Sequence, residues 1–214
     1  MTFSIVARCA RTGRLGVAGA TSSIAFGGRC PYGRSGLGVA VTQNRTDPTI
    51  GPRALDHLAQ GLDAGAALAA TMAETVHPEW RQAAVMDAAG RIASYNGARC
   101  SGLHAEARCD TAVALGNILA DVGVPAAMIR GFEATEGALE DRLIAALRAG
   151  LAAGGEVKPL RSAAMITVGT DPFPDSNLRI DSADDPIGAL AALWRQWRVM
   201  APICRLWAYD PGAA

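Results

Sequence analysis

The sequence predicts an α+β fold, and three observations lead to this prediction. Apolar segments joined by short turns indicate antiparallel hairpins in the first hundred residues. The helical segments come in blocks and do not alternate with single strands. Half of the 214 residues are hydrophobic, which is ample material for one core. We therefore expect layers of strands and helices, not repeated βαβ units.

The chain opens with strands. Residues 3–9 and 15–21 are two short apolar stretches joined by the turn at 12–14, which predicts a β-hairpin. The glycines and the proline at 27–33 are interpreted as a loop. Residues 36–42 (GLGVAVT) are apolar almost throughout, which predicts a third strand buried on both faces.

A helix and a second hairpin follow. Leucines and alanines recur at helical spacing from Pro52 to about Thr75, and this spacing predicts one helix. Residues 82–87 and 91–96 flank a glycine-containing turn and predict a hairpin. Asp87 is interpreted as a residue of that turn.

The second half of the chain contains more helix. Its predicted elements are a short strand at 112–115 ending in Gly116-Asn117, helices at 125–135 and 138–153, strands at 162–168 and 177–181, and a helix from 186 to about 200. Gly154 and Gly155 are expected to end the second helix. We predict one domain at residues 1–200 and a C-terminal tail at 201–214, whose apolar stripe could dock on the same subunit or on a partner.

Composition excludes several classes of partner and location. The 20 basic residues balance the 20 acidic ones, and no basic run with aromatics indicates nucleic-acid binding. No segment approaches the ~20 apolar residues of a membrane helix, and the start does not match a signal peptide. The five cysteines are scattered and odd in number, which indicates free thiols in a reducing cytoplasm.

Thr2 is the first candidate for chemistry. Methionine aminopeptidases remove Met1 when the second residue is small, and the mature chain would then carry a hydroxyl and a free α-amine on one residue. An α-amine has a pKa of about 7.7–8.0 and can act as the base that the hydroxyl needs. A strand begins at once, which would hold Thr2 rigidly. The alternative is that many proteins simply begin with Met-Thr.

Polar residues at the ends of strands are the next candidates. Asn117 could place its side-chain amide N–H at an oxyanion, although Gly-Asn is also a common turn pair. Gln43, Asn44 and Asp47 follow the third strand, where they could line a site or form an ordinary loop.

Two clusters of possible ligands remain. Glu156 and Lys158 could bring an acid and a cation to a pocket, or could be a solvated helix end. Cys100, His104 and Cys109 match no standard zinc spacing and lack a fourth ligand. We expect no metal and no organic cofactor.

Nine segments occur together in an order that is specific to one family. They are TFSIVAR (2–8), TGRLGVA (12–18), GLGVAVTQ (36–43), GPRALDHL (51–58), RQAAVMDAAGRIASYNG (81–97), GNIL (116–119), AAGGEVK (152–158), RSAAMITV (161–168) and LRIDSADDPI (178–187). They resemble the DUF1028 family, which is regarded as N-terminal-nucleophile (Ntn) hydrolase-like, from Thr2 to about Leu190. The resemblance implies a four-layer αββα sandwich and a terminal nucleophile that cleaves an amide or related C–N bond.

The resemblance and the candidates together give a mechanism as a hypothesis. Thr2 is the nucleophile after removal of Met1, Asn117 stabilises the oxyanion, and the side chains that bind a small polar substrate are Gln43, Asn44, Asp47, Glu156 and Lys158. We expect a homo-oligomer, with neither nucleic acid nor membrane as partner. The alternatives are a non-catalytic small-molecule-binding protein on the same fold and a proteasome-like threonine peptidase.

Five positions depart from the usual family residues. Members usually carry Asp where this chain has Glu156 and Arg where it has Lys158, and these exchanges keep the charge. They usually carry Gln where it has Arg161, Gln where it has Leu115 and Asn where it has Asp47. We expect substrate specificity to differ accordingly.

Overall fold

The computed structural model describes residues 2–212. Within them, the strands are β1 (Thr2–Arg8), β2 (Leu15–Thr21), β3 (Pro31–Arg34), β4 (Gly38–Asn44), β5 (Arg81–Asp87), β6 (Ile92–Asn96), β7 (His104–Cys109), β8 (Ala112–Asn117), β9 (Ser162–Val168) and β10 (Ser176–Ile180). The α-helices are α1 (Ile50–Ala59), α2 (Ala64–Ala73), α3 (Val124–Ala134), α4 (Leu139–Ala152) and α5 (Pro186–Tyr209). Short 3₁₀ turns occupy Phe26–Gly28 and Pro78–Trp80.

The strands form two antiparallel sheets. The larger sheet has six strands in the order β10-β9-β2-β1-β8-β7, and the smaller has four in the order β3-β4-β5-β6. Strand β1 therefore lies between β2 and β8, with which it pairs along its length. The first residue of β1 is flanked on both sides by the ends of neighbouring strands.

Three apolar cores hold the sheets and helices together. One lies between the two sheets and contains Val6, Val17, Val41 and Met86. A second joins the outer face of the six-stranded sheet to α3, α4 and α5, and a third joins the outer face of the smaller sheet to α1 and α2. The mixed α+β fold predicted from the sequence is therefore confirmed.

Alternation along β1 decides which side chains face the second sheet. Phe3 and Ile5 belong to the core beneath the helices, whereas Val6 belongs to the core between the sheets. Because side chains alternate with a period of two, Thr2 and Ser4 share the inner face with Val6.

Most predicted elements are present near their predicted residues. Strands β2 and β9 have the predicted bounds, and α3 and α4 differ from them by one residue at each end. Gly154 and Gly155 both have positive φ, at 113° and 59°, and the Gly155 N–H bonds to the Gly150 carbonyl. This glycine pair ends α4 as expected.

Two strands were not predicted. The expected loop at 27–33 overlaps β3, and β7 lies in a stretch for which no element was expected. Both are edge strands, β3 in the smaller sheet and β7 in the larger one. Edge strands carry polar and half-exposed residues, so they lack the apolar run that marks a buried strand.

The helix predicted from Pro52 to Thr75 is wrong, because the segment forms two helices. Gly61 has a φ of 91°, which ends the first of them. Asp63 then begins α2 as its N-cap, accepting a hydrogen bond from the N–H of Ala66. The apolar spacing continues across the break because both helices pack on the same sheet face.

The last helix is longer than the predicted 186 to about 200, because α5 continues through Pro202 to Tyr209 and includes part of the segment predicted as a tail at 201–214. The extension is held at its end, where Arg205 forms an ion pair with Asp171 and the Tyr209 hydroxyl donates to the same carboxylate. Residues 213 and 214 lie outside the described residues. Across 2–212, no helix combines the length and apolar character that crossing a membrane requires.

Candidate active site

A patch of buried polar side chains lies at one end of the core between the sheets. The rest of this core is apolar, but at the end of the sheets where β1 begins several buried side chains are polar. Its members, each at most 5% exposed, are Thr2, Ser4, Thr21, Gln43, Gln82, Asn117 and Ser162. Buried polar groups require partners, so this patch has to be a connected network or a site.

Thr2 occupies the centre of this end of the larger sheet. Its hydroxyl donates to the Oγ1 atom of Thr21 at 3.2 Å, and the residue is 5% exposed. On its other side, Thr2 is paired in register with Asn117, the last residue of β8. Thr2 is therefore fixed by both neighbouring strands.

Asn117 is fully buried and is held by a glutamine from the other sheet. Its Nδ2 donates to Oε1 of Gln82 at 3.0 Å. The Gln82 Nε2 donates in turn to Oδ1 of Asn96 at 2.7 Å and to the Gly116 carbonyl at 3.1 Å. The Nδ2 atom of Asn117 carries two N–H donors, and Gln82 accepts from one of them.

Gln43 extends the network behind Thr2. Its Oε1 accepts from the Ser4 hydroxyl at 2.7 Å, and its Nε2 donates to Gln82 at 2.6 Å and to the Leu115 carbonyl at 3.4 Å. Both amide hydrogens are therefore used inside the protein. The structure gives Gln43 a supporting place beneath the site, whereas the sequence predicted contact with substrate.

Glu156 brings a carboxyl group to the same end of the sheet. Its backbone forms a bridge with Leu119, two residues beyond Asn117, and its carboxyl interacts with Ser22, the residue after Thr21. The residue is 7% exposed, and within 2–212 neither carboxylate oxygen has a hydrogen-bond partner. Burial raises the pKa of Glu156 to about 7, although the hydroxyl and N–H of Ser22 act in the opposite direction.

Among the other predicted substrate-binding residues, Asn44 and Asp47 use their side chains in contacts with the protein itself, and Lys158 faces solvent. Asn44 donates to the Trp80 carbonyl at 2.8 Å. Asp47 accepts from the N–H and hydroxyl of Thr49 at 2.9 and 2.7 Å, just before α1 begins. Lys158 is exposed. The structure thus brings Gln43 and Glu156 to the end of the sheet that holds Thr2, whereas Asn44 at the end of β4 and Asp47 before α1 are bonded to neighbouring segments.

Several members of the network were not singled out from the sequence. They are Ser4, Thr21, Gln82 and Asn96. A signal was available, because each is a polar residue near one end of an otherwise apolar strand. Strand ends also hold many ordinary polar residues, so only the pairing of strands shows which of them meet.

Possible metal ligands do not gather at this site. Among residues 2–212, no three His, Cys, Asp or Glu side chains are close enough to hold a metal ion together. The thiol of Cys100 donates to the Arg81 carbonyl, and that of Cys109 lies 3.9 Å from the Thr111 hydroxyl.

A cavity of about 720 Å³ lies away from Thr2, beneath the C-terminal part of α5. Its walls include Arg14, Phe173, Trp194 and Tyr209. Arg14 directly precedes β2, whereas Thr21 ends it, and at ~3.3 Å per residue the two are about 20 Å apart along the sheet. This cavity is therefore distinct from the polar patch.

The fold and the site define a mixed α+β protein with a threonine held in a buried polar network at the start of a central strand. The model of a family of unknown function, DUF1028, matches residues 2–190, and the chain belongs to this family. The chain is 34% identical to a Silicibacter pomeroyi protein of known crystal structure that is described as DUF1028. That similarity has a TM-score of 0.84 and covers 91% of this chain and 88% of the other. A search of curated proteins finds no match.

Proposed function

We propose that the protein is an N-terminal-nucleophile amidohydrolase, which cleaves an amide or related C–N bond of a small polar substrate with Thr2 as nucleophile after removal of Met1. The observation that carries the proposal is the place of Thr2, since its hydroxyl is buried and oriented by Thr21 while an amide donor lies directly opposite. Helices on the outer faces of two stacked sheets are also consistent with the four-layer αββα sandwich of this class.

The proposed reaction has two stages. In the first, the Thr2 hydroxyl attacks the substrate carbonyl while the α-amine of Thr2 takes its proton. The tetrahedral oxyanion is stabilised by the second N–H of Asn117 and by a backbone N–H. The C–N bond then breaks, and the α-ammonium gives its proton to the departing amine. In the second stage, water attacks the acyl-threonine ester, and the acid product leaves with Thr2 restored.

The network beneath Thr2 supports this chemistry by fixing the donor before the substrate arrives. Gln82 holds Asn117, and Gln43 holds Gln82 in turn. Donors that are already oriented in a site of low polarity need no reorganisation when negative charge develops. One oxyanion donor of this kind contributes roughly 3–4 kcal/mol in comparable sites.

A non-catalytic binding protein is the second candidate, and one observation favours it. Thr2 is only 5% exposed, so a substrate has little direct access to its hydroxyl in this structure. A binding protein on this fold would have no need for a free Thr2 amine.

Two measurements test the proposed function. The intact mass of natively expressed protein shows whether Met1 is gone, and we expect quantitative removal. Purified protein is then incubated with p-nitrophenyl acetate, and the N-terminal peptide is analysed for an acetyl group that hydroxylamine removes, as it removes an ester. We expect this ester in the wild type and in Thr2→Ser, and its loss in Thr2→Ala.

The matched control is Thr170→Ala, which removes an exposed hydroxyl elsewhere and should be acylated like the wild type. Retention of Met1 in all molecules, or an unchanged hydroxylamine-sensitive ester in Thr2→Ala, would contradict the proposal and favour the binding protein.

A further inference from the structure

We propose that Glu156 is a positioning residue that holds the α-amino group of Thr2. This inference rests on the proposed function, because the amino group exists only once Met1 has been removed. It differs from the role predicted from the sequence, in which Glu156 contacts the substrate.

The order of strands places Glu156 over the start of β1. Strand β1 lies between β2 and β8. The backbone of Glu156 pairs with Leu119, just past the end of β8, and its carboxyl interacts with Ser22, just past the end of β2. A side chain that extends between these two points has to cross the end of β1 at which Thr2 begins.

A second contact supports the same placement. A Cβ atom at Gly155, the residue before Glu156, would lie 3.5 Å from Cε1 of Phe3, the residue after Thr2. The Gly155 carbonyl also accepts from the N–H of Ala120 at 3.1 Å. The segment that carries Glu156 is therefore packed against the first residues of β1 as well as against the end of β8.

The hydroxyl and N–H of Ser22 are near enough to lower the pKa of the Glu156 carboxyl, but neither makes a hydrogen bond to it. Among residues 2–212, neither oxygen of Glu156 has a hydrogen-bond partner, and the same is true of Oδ1 of Asn117. Asn117 is the register partner of Thr2. An α-ammonium group has three N–H donors and a positive charge, so it matches acceptors placed on two sides of Thr2.

No positively charged side chain of residues 2–212 is paired with the carboxylate of Glu156. Burial raises the pKa of the Glu156 carboxyl, whereas Ser22 and the positive charge at the chain's N-terminus lower it, and no charged side chain of residues 2–212 is among these influences. Lys158 is close in sequence but exposed. With 7% of its surface exposed, Glu156 is also poorly accessible to a cationic group of a substrate.

The carboxylate would act on the reaction through the amine. When the α-amine takes the proton of the Thr2 hydroxyl, it becomes a cation, and a carboxylate beside it stabilises that cation. The same attraction raises the pKa of the free amine. The wild-type amine should therefore lose its proton at higher pH than an amine without Glu156.

The pKa of the Thr2 amine is measurable without knowledge of the substrate. Met1-free protein is labelled competitively with acetic anhydride across a pH series, and the labelled N-terminal peptide is quantified by mass spectrometry. We expect the wild-type amine to have a pKa higher by about one pH unit or more than the amine of Glu156→Gln. Glu156→Asp keeps the charge but withdraws it by one methylene, so its amine should have a pKa between the two.

The control is Glu133→Gln, which removes an exposed carboxylate on α3 and should leave the amine pKa at the wild-type value. Equal amine pKa values in the wild type, Glu156→Gln and Glu156→Asp would overturn the inference, while acylation of Thr2 could still support the proposed function. If every molecule retains Met1, the proposed function fails as well. Should Glu156→Gln not fold, the comparison of Glu156→Asp with the wild type decides the matter.

Discussion

Thr2 and Asn117 are directly opposite each other in neighbouring antiparallel strands, although they come from different halves of the chain. Residues paired in this way have Cα atoms about 4.5–5.5 Å apart and side chains on the same face of the sheet. Asn117 is also completely buried, so its amide is not directed into bulk solvent. A carbonyl bound at the Thr2 hydroxyl would therefore lie beside the Asn117 amide.

Asn117→Ala should lower kcat for acylation by about 10²–10³-fold with little change in KM, because it removes an oxyanion donor. Stability should fall by only about 1 kcal/mol, since Oε1 of Gln82 keeps its hydrogen bond from Gln43. Single-turnover release of p-nitrophenolate by Met1-free protein gives the rate, and urea denaturation gives the stability. An Ala variant that reacts within threefold of the wild-type rate would remove Asn117 from the mechanism.

Gln82→Leu should both destabilise the fold and slow acylation. Gln82 makes hydrogen bonds to Gln43, Asn96 and Asn117, and a leucine leaves buried polar groups without partners, at about 1–3 kcal/mol each. Asn117 also loses the contact that orients it. The control is Gln60→Leu, which changes an exposed glutamine after α1. Urea denaturation that shows the same stability for both variants would argue against a stabilising role for the network.

The sequence predicted the positions of Thr2 and Asn117 at strand ends but could not show that they meet. Their proximity depends on β1 pairing with β8, a contact between distant parts of the chain that no local pattern encodes. Gln43 was identified as a polar residue after a strand, yet its inward direction follows from the alternation along β4 and from the second sheet above it.

The difference between local sequence patterns and pairing of distant strands also explains the errors in the predicted fold. Strands β2 and β9 are buried throughout and have strong local patterns, so their bounds were predictable. Strand β7 is half-exposed, and its structure depends on pairing with β8. The sequence pattern places Glu156 in a charged cluster with Lys158, whereas its burial follows from the bridge between its backbone and Leu119.

In the chain that retains Met1, the free energy of unfolding should fall as the pH rises between the unfolded-state and folded-state pKa values of Glu156. The pKa of Glu156 is about 7 in the folded protein, against an ordinary value of 4.5. Between these values the folded state binds the proton and the unfolded state does not, so raising the pH favours unfolding. The loss is complete above pH 7 and is on the order of 3 kcal/mol.

In the chain that retains Met1, Glu156→Gln should abolish this loss, so the variant should be more stable than the same chain with Glu156 at pH 8 and similar to it at pH 4.5. Urea denaturation at both pH values measures the difference. Mutant and wild type with parallel stability profiles from pH 4.5 to 8 would show that the folded-state pKa of Glu156 is not raised.

The ion pair between Arg14 and Glu140 should be the most sensitive electrostatic contact away from the site. Glu140 is completely buried, and its carboxylate accepts from Arg14, from the Thr167 hydroxyl at 2.7 Å and from the Ser176 hydroxyl at 3.3 Å. Arg14 also donates to Asp175 at 2.8 Å. The pair therefore joins β2, α4, β9 and β10 beside the large cavity.

Arg14→Met should destabilise the protein by about 3–5 kcal/mol, because it leaves the charge of Glu140 buried without a cation. Adding Glu140→Leu to this variant removes the stranded charge, so the double variant should be more stable than Arg14→Met alone. Arg34→Met is the matched control, since its pair with Asp56 is exposed and is expected to contribute about 0–1 kcal/mol. Urea denaturation at pH 7 compares four variants with the wild type. They are Arg14→Met, Glu140→Leu, the double variant and Arg34→Met. Two outcomes would show that the buried carboxylate of Glu140 does not require Arg14. One is that Arg14→Met lowers the free energy of unfolding no more than Arg34→Met does, and the other is that the double variant is less stable than Arg14→Met.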